Sequence, residues 1–220
     1  MGIFDVPIYV ELKSKRVKAV VDHFGSDWFN GKKVLELGCG HADMGNEFYK
    51  LGAEVTVTDA RENHLAVVRD KYPHLKRICH DLNRVNWPFE RGYDLILNMG
   101  VLYHLQKFER LLKNCFLNCE NMFIESIVVD SDDPRFVSYV KEESSTQDSD
   151  QSFTSVGCRP SWACIERIIE ENGFTFERYF SKELNSVQNV FDWEPKNSLE
   201  CGVGEGKDFF WLRRTWFCKK

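Results

Sequence analysis

Lys33-Val34-Leu35-Glu36-Leu37-Gly38-Cys39-Gly40-His41-Ala42-Asp43 is the stretch on which the fold turns. An apolar, strand-like run meets two glycines and then helix-forming sequence. That order predicts a buried strand over Lys33 to Leu37, a tight turn, and a helix from about Asp43 to Leu51. Glycine lets a backbone approach a ligand closely at the carboxyl edge of a sheet, and the helix that follows offers unpaired N–H groups there. A GxG also serves ordinary tight turns, so its meaning depends on what surrounds it.

Working outward, Gly52 ends the helix, Glu54 to Thr58 reads as a second strand, and Glu62 to Tyr72 as a second helix stopped by Pro73. Leu75 to Cys79 and Tyr93 to Asn98 suit third and fourth strands, Leu105 to Cys119 a helix, and Asn121 to Val129 a fifth strand. Alternation of this kind predicts a parallel sheet with helices on both faces. Upstream, Val10 to His23 is helical within an N-terminal segment of residues 1–30. Downstream, Pro160 to Asn172 is an amphipathic helix capped by Gly173, and Phe174 to Phe180 and Phe209 to Cys218 are two last strands expected to pair antiparallel. Asp59 closes the second strand, where an acid accepts hydrogen bonds from ribose hydroxyls, and Asp81 follows the third, placed to meet an adenine amino group.

Composition agrees with one domain over residues 1–220. The chain has 220 residues, 43% hydrophobic and 14% aromatic, enough to fill a core, and its mean hydropathy of -0.40 with 29% charged residues excludes disorder as the main state. No apolar window is long enough to span a membrane. Met1 to Val10 lacks the pattern of a secretory leader, and Val6 stands where a myristoylation signal needs Ser or Thr. The eight cysteines, at 39, 79, 115, 119, 158, 164, 201 and 218, form no CxxC pair, which predicts reduced thiols in the cytoplasm and no metal site. Net charge is -5, and residues 130–150 hold seven acids against two bases. That acidic, Ser-rich stretch reads as a surface insertion or lid over 130–157. The rest is charge-balanced and lacks the basic footprint of a nucleic-acid binder.

The string Val34 to Gly40 resembles the first motif of the class I S-adenosylmethionine-dependent methyltransferases. Val57-Thr58-Asp59 is similar to their second-strand acid, and His80-Asp81-Leu82 to their adenine-side contact. The resemblance implies S-adenosylmethionine as cofactor and a Rossmann-like α/β fold, a seven-stranded mostly parallel sheet with an antiparallel C-terminal strand. It also implies cofactor-binding roles: Glu36, Gly38 and Gly40 in the methionine-side motif, Asp59 on the ribose, and Asp81 and Leu82 around adenine. Ala42 stands where many members have a third glycine. NAD is the nearest rival, but its GxGxxG turn would need glycine where Asp43 stands, and an acid there would repel a pyrophosphate.

Asn98-Met99-Gly100-Val101-Leu102-Tyr103-His104-Leu105, at the end of the fourth strand, resembles a narrower branch, the tRNA wobble-uridine carboxymethyltransferases, over roughly residues 34–180. In that branch the Met and Tyr contact the cofactor, which implies Met99 and Tyr103 here. The upstream cations such enzymes use would fall among Lys13, Lys15, Arg16 and Lys18, with none singled out. Methyl transfer to a hydroxyl needs alignment and a base for the departing proton. His104 is the leading base because imidazole titrates near neutrality, with His41 second. Glu125 is placed to orient an acceptor. Arg213 and Arg214, among aromatics that continue the run Asp192 to Lys196, look like the tail of glycan methyltransferases and read as acceptor-binding. The expectation is an O-methyltransferase acting on a sugar, glycan or other small molecule. The alternatives are a tRNA wobble-uridine modifier and an inactive binding module of the same fold.

Overall fold

The computed structural model describes residues 3–142, 150–181, 184 and 211–220. A 3-10 turn (Ile3–Asp5) leads into α1 (Pro7–Phe24), with Pro7 in the first turn, where a missing N–H costs no helical bond. There follow β1 (Lys33–Leu37), α2 (Asp43–Lys50), β2 (Glu54–Asp59), α3 (Glu62–Lys71), β3 (Lys76–Cys79) and β4 (Tyr93–Met99). A second 3-10 turn (Leu102–His104) precedes α4 (Phe108–Asn118), β5 (Cys119–Val129), β6 (Val137–Lys141), β7 (Val156–Pro160), α5 (Trp162–Glu171), β8 (Thr175–Arg178) and β9 (Trp211–Lys219).

Seven strands form one sheet in the order β3-β2-β1-β4-β5-β9-β8. The first five run parallel, and β9 lies antiparallel to both β5 and β8. The expected antiparallel pair is present, with β9 as the inner strand. Strand order reverses between β1 and β4, which opens a crevice at their carboxyl ends.

Both faces of the sheet are covered, so successive residues of a strand serve two cores. Leu35, Ile96, Ile124 and Trp216 pack with α4 and α5, whereas their neighbours Val34, Leu95, Phe123 and Phe217 pack with α1, α2 and α3. This is why the strands read as apolar runs rather than alternating ones. No helix among the described residues is long and apolar enough to cross a membrane.

Two helix starts need correction, and the stretch 130–157, read as an insertion or lid, carries among its described residues strands of the two-stranded ribbon β6–β7, paired from Val137↔Pro160 to Lys141↔Val156. Cys158 of that ribbon is fully buried in the α4–α5 core. The helix expected from Pro160 begins at Trp162, because Pro160 ends β7 and the Ser161 hydroxyl accepts from Cys164 N–H at 2.9 Å, a cap worth about 1 kcal/mol. The helix expected from Leu105 begins at Phe108. Asn83 Oδ1 takes the N–H groups of Gln106 and Lys107, at 2.8 and 3.0 Å, and holds the chain before it in the 3-10 turn. The run Asp192 to Lys196 lies outside the described residues.

Candidate active site

The carboxyl ends of β1, β2 and β4 meet at a cavity of about 210 Å³. On its β1 side Gly38 has φ +60°, and a side chain there would come within 2.5 Å of Val101, so the turn admits only glycine. Glu36 lies beneath. Its Oε2 accepts the Gly45 N–H at 2.9 Å, one of the donors an α-helix leaves unpaired in its first turn, and so ties β1 to the start of α2. Burial pushes the Glu36 carboxyl up to about 8, against the lowering effect of the Gly45 N–H. Asp59 ends β2 with its carboxylate held by the N–H groups of Gly40 at 3.0 Å and Arg61 at 2.9 Å, and with His64 Nδ1 at 3.2 Å. Asp81 accepts the Asn83 N–H at 2.9 Å and lines the cavity with Leu82 and Met99.

The opposite side is built from side chains that lie far apart in sequence. Glu125, fully buried on β5, accepts two bonds from Arg16 of α1, from Nε at 2.7 Å and Nη2 at 2.6 Å, and a third from Arg213 Nη1 of β9 at 2.7 Å. Burial alone would raise this carboxyl, but the two guanidinium groups outweigh it and hold it below the usual range. Arg213 also donates to the Tyr103 hydroxyl at 3.0 Å and lies over its ring, 5.1 Å from the centroid. Tyr103 and His104 sit together on the 3-10 turn after β4. The N-terminal segment closes the space: Phe4, Tyr9 and Leu12 line it, and Tyr9 donates its hydroxyl hydrogen bond to Asp150 across the cavity mouth.

Of the residues singled out from sequence, Gly38, Asp59, Asp81, Leu82, Met99, Tyr103, His104 and Arg213 line this one cavity. Glu36, Gly40 and Glu125 do not line it but brace those that do. Arg214 corrects the pairing with Arg213: adjacent residues of a strand point to opposite faces, and Arg214 turns away to bond Glu166 at 3.1 Å and to cover Trp162. His41 packs on the Phe4 ring, 5.1 Å between centroids, away from the cavity wall. Asp43 is bonded to Lys13, Lys71 and Tyr72, so its expected repulsion of a pyrophosphate has no basis in where its carboxylate points. Lys13 and Arg16 line the cavity, whereas Lys15 pairs with Glu11 and Lys18 with Asp22. Sequence reasoning missed Phe4, Tyr9 and Phe153 as walls and Glu142 as the partner of His104 Nδ1, at 2.5 Å.

A family model described as a methyltransferase domain matches residues 9–179. Among curated relatives, the tRNA U34 carboxymethyltransferase of Pseudomonas putida (strain W619) is 27% identical over 182 residues, covering 77% of this chain and 54% of that protein. The enzyme of the same name from Vibrio atlanticus (strain LGP32) is 24% identical over 211 residues, covering 90% and 62%. The chain therefore spans little more than half the length of these relatives. Among solved structures, the N-terminal domain of EvdMO1, crystallised with SAH and D-fucose, superposes with a TM-score of 0.70 at 15% identity, covering 94% of this chain and 82% of that one. Magnesium protoporphyrin IX methyltransferase from Synechocystis PCC 6803, with bound SAM, gives 0.58 at 14% identity, covering 97% and 81%. At such identities the likeness is one of fold. Together with the glycine turn and strand order described above, these matches establish that the chain belongs to the methyltransferase domain family and has the Rossmann-like fold of class I S-adenosylmethionine-dependent methyltransferases.

Proposed function

We propose that this methyltransferase moves the methyl group of S-adenosylmethionine to a hydroxyl of a small acceptor, a sugar or glycan being the leading class, with His104 taking the hydroxyl proton. One observation carries the reading: His104 lines the same cavity as Gly38, Asp59, Asp81 and Met99, so a base and the cofactor-side groups face one space. The residues fit the cofactor. Gly38 leaves a cradle that a side chain would fill, Asp59 and Asp81 offer acceptors suited to a ribose diol and an adenine amino group, and Leu82 offers an apolar surface to the base. When bound, the cofactor supplies a methyl carbon on a sulfonium that departs as a neutral thioether.

The chain's own part is to align the acceptor, exclude water and remove a proton. Phe4, Tyr9, Leu12 and Phe153 surround the cavity with apolar surface, and His104 supplies the base. Of the C-terminal residues that suggested a sugar, Arg213 supports that acceptor class, since it lines the cavity; Arg214 does not. The free thiols of the described cysteines support a cytoplasmic setting. A second reading, a wobble-uridine modifier using a carboxylated cofactor, is favoured by the tRNA-enzyme relatives and by the cations Lys13, Arg16 and Arg213 at the cavity. Against it, Lys13 is bonded to Asp43 and the other two share Glu125.

Calorimetric titration with S-adenosylmethionine, S-adenosylhomocysteine and NAD tests the cofactor half. The first two bind, and Asp59→Ala weakens them at least tenfold; preference for NAD would end the reading. His104→Ala keeps S-adenosylhomocysteine binding and loses on the order of 10²–10⁴ in turnover on responsive sugar acceptors, the range for a lost general base. Full turnover in that variant removes His104 from the chemistry. Tight, salt-sensitive retardation of bulk tRNA in a gel would favour the second reading over the first.

A further inference from the structure

The ribbon β6–β7 delivers a carboxylate to the site. Glu142 follows β6 directly, with its side chain 4% exposed. Its Oε2 lies 2.5 Å from His104 Nδ1 and accepts the Ser152 N–H at 2.8 Å. Its Oε1 lies 3.2 Å from both Nη1 and Nη2 of Arg159, on β7. Arg159 in turn donates to the Tyr103 carbonyl at 3.0 Å and covers the Tyr103 ring, 5.2 Å from its centroid. The same guanidinium therefore anchors Glu142 and the turn that carries His104. A side chain at Gly157 would strike both Glu142 Oε1 and the Tyr103 carbonyl, so ribbon and turn approach as closely as glycine permits.

Every oxygen of Glu142 is thus committed to a donor, and its charge is favoured in place. Burial would raise the carboxyl, but the hydrogen bond with His104, the Ser152 N–H and Arg159 together hold it below the usual range. An ionised carboxylate only accepts, so the proton on the facing ring nitrogen belongs to Nδ1. Nε2, across the ring, then carries the lone pair, and the His104 side chain lines the cavity with no side-chain hydrogen bond among the described residues other than the one to Glu142.

We propose that Glu142 is a positioning residue for His104, fixing its tautomer and ring orientation so that Nε2 serves as the base, and that the ribbon β6–β7 is thereby part of the active site. The acceptor's hydroxyl proton passes to Nε2, and the Glu142 carboxylate stabilises the imidazolium that results, as a carboxylate does for the histidine of a serine-protease triad. This rests on the reading of His104 as the base, but the test does not depend on knowing the acceptor.

The test is long-range ¹H–¹⁵N spectroscopy of the full chain, labelled at histidine and saturated with S-adenosylhomocysteine, followed over a pH series and read where the ¹⁵N shifts themselves report a neutral ring. The His104 signals are identified by their loss in His104→Gln. In the wild-type protein the His104 proton is on Nδ1. In Glu142→Leu no acceptor faces the ring, so nothing holds the proton on Nδ1 and it shifts to Nε2, the tautomer a free imidazole favours. S-adenosylhomocysteine affinity within about twofold of wild type shows that the variant is folded. A wild-type proton on Nε2 overturns the proposal without any variant, and a proton that stays on Nδ1 in a folded Glu142→Leu overturns it as well. The second result leaves cofactor binding and the base role untouched, whereas undiminished turnover in His104→Ala removes the base and leaves the tautomer result standing.

Discussion

The two walls of the cavity are made in different ways. The first is mostly backbone: a glycine turn, the ends of three parallel strands, and carboxylates such as Asp59 that are held by nearby N–H groups. The facing wall is side-chain charge, with Arg16, Glu125 and Arg213 brought from α1, β5 and β9, and His104, Glu142 and Arg159 from the turn after β4 and the ribbon. A backbone wall follows from the fold itself and tolerates replacement of most side chains around it. A charge wall stands only while every partner is present, because each ion has been taken out of water and is compensated by the others.

That contrast makes Glu125→Ala the most damaging change. It leaves Arg16 and Arg213 buried without their shared carboxylate, and breaking a buried pair costs about 3–5 kcal/mol. Urea unfolding reads the loss, and a decrease below about 1 kcal/mol would mean that the second wall is not held by charge.

Beneath the strand-end wall, Glu36 gives a pH signature instead. Its folded-state pKa is raised by burial to about 8 from 4.5, so the folded protein binds the proton more tightly than the unfolded chain. The group's stabilisation is complete below about pH 4.5 and is lost as pH rises towards 8. Relative to Glu36→Gln, the wild-type protein therefore loses stability across that window by about 1.4 kcal/mol per pH unit. Parallel pH–stability curves for the two proteins would show that Glu36 is ionised at little cost.

The smallest effect is at Arg214. Arg214→Ala removes a cation over the Trp162 ring at 4.6 Å together with its bond to Glu166, and costs about 1–2 kcal/mol, while calorimetric affinity for S-adenosylhomocysteine stays within about twofold. A large loss of affinity there would erase the distinction drawn between the two faces of β9.

The same contrast explains what was legible in the sequence. Strands β1, β2 and β4 announce themselves as apolar runs, and the glycines and Asp59 occupy places fixed by local chain geometry, so where these groups stand at the strand ends could be read residue by residue. The antiparallel pairing of the last strands was legible because no helical pattern in the sequence separates them. Glu125 and Arg213 were visible as chemistry but not as partners, since nothing local joins residues that the sheet sets side by side across β5 and β9. Glu142 was hidden for another reason. It sits in a run so acidic that a solvated loop was the natural reading, and only the alternation of Val137, Tyr139 and Lys141 with Val156, Cys158 and Pro160 marks a ribbon within it. Arg214 shows the converse hazard: two adjacent arginines look like one feature, yet a strand sends them to opposite sides.

Strand β9 has a consequence for how the chain is made. It lies inside the sheet, between β5 and β8, yet a ribosome delivers it after both. At about 5–20 residues per second the nascent chain spends several seconds with the long edge of β5 unpaired and with Arg16 and Glu125 lacking Arg213. During that interval the apolar flank of β5 is open to neighbouring chains, and the charged wall of the cavity has not been assembled. Synthesis of this enzyme therefore carries a vulnerable period that ends only when Trp211–Lys219 is released from the tunnel, and chaperone demand and co-translational aggregation should track that moment rather than the folding of the glycine turn.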